Sequence, residues 1–142
     1  MIKICFVCAG NTCRSVMAER LFRKILKEKK IDDVKASSKG IYATGENITE
    51  NAKITLKKYK ALAGNRKSVK LKKIEKDMLY VVMTESLASQ INSSKVITMK
   101  SLIGKDVVDP FGGDIDVYMQ TASEIIEALD NLIKLIVKWR EK

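Results

Sequence analysis

Apolar and polar positions along the chain switch repeatedly between two periods. Ile2-Lys3-Ile4-Cys5-Phe6-Val7 is a short, β-rich apolar run of the kind that forms a buried strand. It ends at Cys8-Ala9-Gly10-Asn11-Thr12, a small and polar loop. From about Arg14 the period becomes helical, with Met17, Ala18, Leu21, Phe22, Ile25 and Leu26 on one stripe and Glu19, Arg20, Lys24 and Lys27 on the other faces. A second strand fits Val34 to Ser38, ending at Gly40, and a helix fits about 49–60. Met78-Leu79-Tyr80-Val81-Val82-Met83 is the clearest interior strand, followed by a helix start at Thr84-Glu85-Ser86 that leads to Leu87 and Ile91. Val96-Ile97-Thr98-Met99 reads as a fourth strand. Asp114 caps a long final helix whose apolar positions are Tyr118, Ala122, Ile125, Leu129, Leu132, Ile133 and Ile136. Strands alternating with helices predict an α/β fold, a parallel sheet of four strands covered by helices on both faces in three layers. No repeat or linker interrupts the pattern, and 142 residues suit one domain over 1–142.

Composition narrows the chemistry more than the fold. The chain has no histidine, which excludes a Ser-His-Asp triad, Cys-His catalysis and any His-ligated metal. Its three cysteines, Cys5, Cys8 and Cys13, are an odd number within nine residues, so they are not a disulfide framework. Cys5 and Cys8 are spaced as a zinc pair, but a second pair of ligands is missing and no metal is expected. The run Ile4 to Ala9 is too short for a signal or membrane segment, which predicts a cytoplasmic protein with reduced thiols.

The net charge is +10. Lys53 to Lys76 holds ten Lys or Arg and one acid, Glu75. Such a stretch can attract nucleic acid or an acidic protein, or can be a solvated face. With Tyr59 its one aromatic, it offers no stacking platform, so nucleic acid is not the expected partner. A basic surface also suits a protein that acts on phosphate groups.

The segment Cys8-Ala9-Gly10-Asn11-Thr12-Cys13-Arg14-Ser15 places a cysteine at a strand end and an arginine at a helix start, five loop residues apart. The loop amides can turn inward as an anion nest, and the helix N-terminus adds positive partial charge at the same point. The planar Arg14 guanidinium can grip two oxygens of a tetrahedral oxyanion. The field that holds such an anion also favours a Cys8 thiolate, a nucleophile aimed at phosphorus. Ser15 can donate a hydrogen bond to that thiolate and steady it as a leaving group. The departing group needs a proton, and without histidine a carboxylic acid must supply it. Asp109 is the candidate. It follows Val107-Val108, is held extended by Pro110, and precedes the Gly112-Gly113 pair.

These residues resemble the low-molecular-weight protein tyrosine phosphatases over essentially the whole chain. The resemblance rests on Val7-Cys8-x-Gly10-Asn11-x-Cys13-Arg14-Ser15 near the start and Asp109-Pro110-Phe111 near the end. It implies a four-stranded parallel sheet with helices on both sides. It implies that Cys8 forms a phosphocysteine, that Arg14 binds phosphoryl oxygens, and that Asp109 is general acid and then base. Ala9, Gly10, Asn11, Thr12, Cys13, Ser15 and Phe111 then surround the substrate, with Asn11, Ser15 and Ser38 supporting the loop. No cofactor is implied; the partners are phosphorylated proteins, with inorganic phosphate as product. Cys13 is implied as a redox partner able to form a reversible disulfide with Cys8. The run from Asp109 to Tyr118 looks most like the bacterial protein arginine phosphatases, and Thr12 points the same way. Tyrosine-directed members usually carry a bulky aliphatic residue there, whereas threonine offers a hydroxyl to a guanidinium-bearing substrate. Ala9 and Val16 depart from the family, which has a larger residue and a proline there, and Val16 in place of proline is expected to leave the loop slightly less rigid.

Other readings stay open. An arsenate reductase shares this loop but needs later redox cysteines, and there is none beyond Cys13. A phosphocarrier must keep its phosphocysteine, against which Arg14 and Asp109 argue. A non-catalytic phosphate- or nucleic-acid-binding module would hold phosphate without turnover.

Overall fold

In a computed structural model that describes residues 1–141, four parallel strands form one sheet in the order β2-β1-β3-β4. The elements run β1 (Ile2–Cys8), α1 (Arg14–Glu28), β2 (Val34–Gly40), α2 (Glu50–Lys58), β3 (Met78–Val82), α3 (Glu85–Ala88), β4 (Val96–Thr98), α4 (Met99–Ile103) and α5 (Ile115–Arg140). β1 is the hub. It pairs with β2 from Ile2↔Val34 to Cys8↔Gly40 and with β3 from Lys3↔Met78 to Val7↔Val82. Its side chains alternate between two apolar clusters, as a pleated strand buried on both faces must. Ile4, Phe6 and Cys8 join the larger core with Met17, Phe22, Ile125 and Leu129 of α1 and α5. Cys5 and Val7 join a smaller one with Tyr80, Val82, Leu87 and Ile91. Phe6 and Phe22 meet edge to face at 5.5 Å between ring centres.

The strand order decides where a ligand can go. The chain leaves β1 for β2 on one side and returns to β3 on the other, so the loops diverge beyond the carboxyl end of β1. In open α/β sheets that divergence opens a crevice for ligands. Here the segment entering it is the loop from Cys8 to Arg14.

The expected elements form, with differences at their ends. The helix expected over about 49–60 is Glu50–Lys58, with the Thr49 hydroxyl accepting from the Ala52 amide. Thr84 caps α3, but that helix stops at Ala88 and Ile91 lies beyond it. Met83 and Met99 fall outside their strands; Met99 instead opens α4, a short helix the periodicity did not reveal. Five residues are too few to display a 3.6-residue period. Asp114 caps α5 by accepting from the Val117 amide at 3.0 Å.

Candidate active site

Cys8 is the last residue of β1 and is 1% exposed. Its Sγ lies 2.9 Å from Ser15 Oγ and accepts from the Asn11 amide at 3.2 Å. The Asn11 amide and the Ser15 hydroxyl thus both lie within hydrogen-bond distance of one sulfur. The loop carbonyls point away from this centre: Cys8, Ala9 and Thr12 accept from the amides of Ile41, Tyr42 and Thr49 at 3.1, 2.8 and 3.0 Å. Turning the carbonyls out turns the amides in. Those of Gly10, Thr12 and Cys13 donate to no other protein group among the described residues. Cys13, at the N-cap of α1, supplies no side-chain cap, so the helix start also presents free N–H groups to the loop.

Arg14 is buried beside this nest. Its Nη1 donates to the Val107 carbonyl at 3.0 Å, and its Nη2 is 3.9 Å from Asp109 Oδ2. Its buried Nε has no partner in the protein. One guanidinium edge is therefore anchored, while the Nε side stays available to an oxyanion. Asp109 is half-exposed at the rim, where its Oδ1 accepts from the Phe111 amide at 3.0 Å and from Cys13 Sγ at 3.5 Å. Phe111 is largely exposed on the same rim. A groove of about 360 Å³ runs outward from Asp109 between Val108, Asp116 and Val117. Thr12 is partly buried, its Oγ1 3.6 Å from where a Cβ on Gly10 would lie. The three residues expected to support the loop lie together, Asn11 Nδ2 donating to Ser15 Oγ at 2.7 Å and to Ser38 Oγ at 3.0 Å.

Three contributors escaped the sequence reading. Glu19 was expected on a polar face of its helix but is 2% exposed. It is ringed by Arg23 at 2.9 Å, Arg20 at 3.5 Å and Arg66, and it accepts from Ser38 Oγ at 2.5 Å. Arg66, hidden in the basic stretch, bonds Glu19 and also donates to Asn11 Oδ1 at 2.6 Å and to the Ser38 carbonyl at 3.0 Å. It thus ties a buried acid to the residue at the turn of the loop, where Asn11 has φ 56°. A non-glycine residue stays in that left-handed region only when its surroundings hold it there. Replacing Arg66 by alanine is expected to cost about 3 kcal/mol, near the low end for breaking a buried ion pair because Arg20 and Arg23 remain on Glu19. It should also lower kcat more than it raises KM, which steady-state kinetics and urea unfolding will read separately.

Gly40 is the third. A Cβ there would lie 2.7 Å from the Ala9 carbonyl oxygen and 2.8 Å from the Asn11 nitrogen, all backbone atoms. The end of β2 is thus the floor under the loop, and the site needs glycine for space. Gly40→Ala is expected to push the loop outward and reduce kcat/KM about 10²-fold, the usual cost of a 1 Å misplacement. An unchanged kcat/KM would mean the loop gives way freely.

Burial raises two of the three thiols. Cys5 is pushed up to about 11 by desolvation. Cys13 goes to about 12, by desolvation first and then by its negative neighbours Cys8 and Asp109. All three cysteines are free, and the protonated Cys13 thiol is the form that donates to Asp109. Because the folded values lie above the unfolded 9.0, unfolded chains lose these protons first as pH rises. The stability they contribute is intact below pH 9.0 and declines above it, by about 1.4 kcal/mol per pH unit per thiol. Urea midpoints should fall steeply above that pH, and less steeply in Cys13→Ser.

Among the described residues no cluster of His, Cys, Asp or Glu could hold a metal ion, and no helix is long and apolar enough to cross a membrane. The chemistry available is thus a thiol, an anion nest, one anchored guanidinium and one rim carboxyl. Known proteins carry a similar frame. The family model described as low molecular weight phosphotyrosine protein phosphatase matches residues 3–142. The chain is 36% identical to a protein-arginine-phosphatase of Bacillus subtilis, covering 96% of this chain and 98% of that one. It is 31% identical to the low molecular weight protein-tyrosine-phosphatase PtpB of Staphylococcus epidermidis, covering 92% and 96%. The solved YwlE arginine phosphatase, as a mutant with a phosphorylated active site serine, superposes with a TM-score of 0.85 at 35% identity and 99% coverage of both chains. A full-length match of sequence and fold, around a cysteine-centred anion nest, places this chain in the low molecular weight phosphotyrosine protein phosphatase family.

Proposed function

We propose that this chain hydrolyses phosphoarginine on proteins through two in-line displacements at Cys8. The chain is a cysteine-dependent protein phosphatase of its family; the residue roles and the substrate choice are our reading. Cys8 Sγ attacks phosphorus while Asp109 protonates the departing guanidine nitrogen. Water then attacks the phosphocysteine, with Asp109 taking its proton and the thiolate leaving toward Ser15. The loop amides and the Nε edge of Arg14 hold the equatorial oxygens throughout, and no step calls for a metal. A free thiolate suits a cytoplasmic, reducing setting.

The observation that carries the substrate choice is Thr12. Its small side chain offers a hydroxyl to a polar guanidinium, and a bulkier aliphatic side chain there would suit a phenyl ring instead. Phosphotyrosine is the second reading, favoured by the exposed ring of Phe111 beside Asp109. The test is steady-state hydrolysis of matched phosphoarginine and phosphotyrosine peptides with EDTA present and Cys8→Ser as control. Phosphoarginine should win by about tenfold or more in kcat/KM, and Thr12→Ile should narrow that gap, since one pocket contact is worth roughly 1–3 kcal/mol. A phosphotyrosine preference would hand the role to Phe111. Tight phosphate binding without Cys8-dependent turnover would leave a binding module.

A further inference from the structure

A second feature is built onto the back of the phosphate loop. Beyond Gly40 the chain does not leave the sheet alone. Residues 69–71 come alongside it, the Gly40 amide donating to the Val69 carbonyl at 2.8 Å and the Leu71 amide to the Gly40 carbonyl at 2.9 Å. Leu71 and Ile74 turn inward onto the smaller core. Lys70, Lys72 and Lys73 beside them are left exposed. With Lys39 they line a groove of about 530 Å³, closed on its other side by Thr44 and Gly45.

Four ammonium groups on one groove repel one another. No ion pair joins these lysines to an acid among the described residues, whereas Lys3, Lys24, Lys100 and Lys105 each have one. The neighbouring acid Glu46 forms no ion pair with them; at the groove edge its carboxylate accepts from the Thr44 amide at 3.0 Å and from Ser68 Oγ at 3.3 Å. The groove is also joined to the site. Val69, in its wall, donates its amide to Asn11 Oδ1 at 2.9 Å, and Lys39 directly precedes the glycine that floors the loop.

We propose that this groove docks an acidic stretch of the substrate polypeptide, flanking the phosphorylated residue held over Cys8. The proposal rests on the phosphatase reading above. The chemistry favours polypeptide over nucleic acid. The lining is lysine with no arginine and no aromatic ring, so it offers point charges without a surface for bases to stack on. Carboxylates spaced along an extended chain need only such charges. Docking of this kind strengthens ground state and transition state alike, so it lowers KM and leaves kcat alone. It also steers encounter in a salt-dependent way.

The test uses two phosphopeptides with the same phosphorylated residue, one with neutral flanks and one with Asp and Glu on both sides. With the intact chain at low ionic strength, the acidic peptide should show a KM about tenfold lower at equal kcat, an advantage that added salt removes. Lys70→Gln, Lys72→Gln and Lys73→Gln together should abolish it while turnover of the neutral peptide and of a small aryl phosphate stays unchanged. Lys27→Gln, Lys29→Gln and Lys138→Gln, which remove the same charge from α1 and α5 surfaces, should retain it. Equal KM for the two peptides, or equal loss in both triple variants, would overturn the docking groove. So would a short single-stranded oligonucleotide that binds through Lys70, Lys72 and Lys73 while the acidic peptide does not. No turnover of the aryl phosphate or either peptide by the intact chain would instead strike the phosphatase reading.

Discussion

Cys8→Ser is expected to reduce turnover by at least about 10⁴-fold while leaving phosphate affinity within a few fold. The asymmetry follows from where each function resides. Binding draws on the inward amides of the loop, the open start of α1 and the Nε edge of Arg14, none of which involves sulfur. Chemistry needs a group that attacks phosphorus and leaves again. A serine hydroxyl in the bonds now made to Ser15 and the Asn11 amide would remain protonated, and its alkoxide would be a far poorer leaving group than a thiolate. Any phosphoryl group it captured would therefore stay on the enzyme. The solved relative with a phosphorylated active site serine is that outcome in another chain. Intact mass after incubation with substrate, together with phosphate binding by calorimetry, reads both halves. Full activity in Cys8→Ser would remove the nucleophile from the mechanism.

Asp109→Ala should cost about two to four orders of magnitude in kcat, and the cost should depend on the leaving group. A guanidine nitrogen is strongly basic and a very poor leaving group as an anion, so it departs only as it takes up a proton. A nitrophenolate departs unaided. The ratio of wild-type to variant rates should thus be largest for phosphoarginine, smaller for phosphotyrosine and smallest for an activated aryl phosphate. Asp109 stands at the rim with one oxygen on the Phe111 amide and the other 3.9 Å from Arg14 Nη2, so removing it leaves the anchored Arg14–Val107 contact in place. A uniform loss across all leaving groups would show that Asp109 shapes the rim without delivering a proton.

Much of this was legible in the residues because several signals agreed. A strand ending in Cys8, a polar turn and an amphipathic helix opening at Arg14 require one geometry whichever is read first. Asn11, Ser15 and Ser38 came from resemblance, and the structure draws them together. What stayed hidden has a common physical cause. Glu19 looked like any acid on a charged helix face, since its burial depends on Arg66, far along the chain, and on Arg20 and Arg23 turning toward it. Arg66 lay in a run of lysines, where one guanidinium with a structural task is indistinguishable from solvated charge. Gly40 read only as the end of a strand, because its requirement is the approach of another backbone and not its own conformation. α4 was too short to show a period.

The supports of the loop also have a consequence for how the enzyme comes into being. Asn11 is bound by Ser38, Arg66 and Val69, which lie 27, 55 and 58 positions away, and Arg14 is bound by Val107, 93 positions away. None of these contacts can form while only the first helix exists, and long-range closures of this kind come late in folding. A refolding chain should therefore regain helical signal before it regains activity. On the ribosome, the loop after Cys8 lacks these supports until more than a hundred residues have been made, so the site and the fold are completed together.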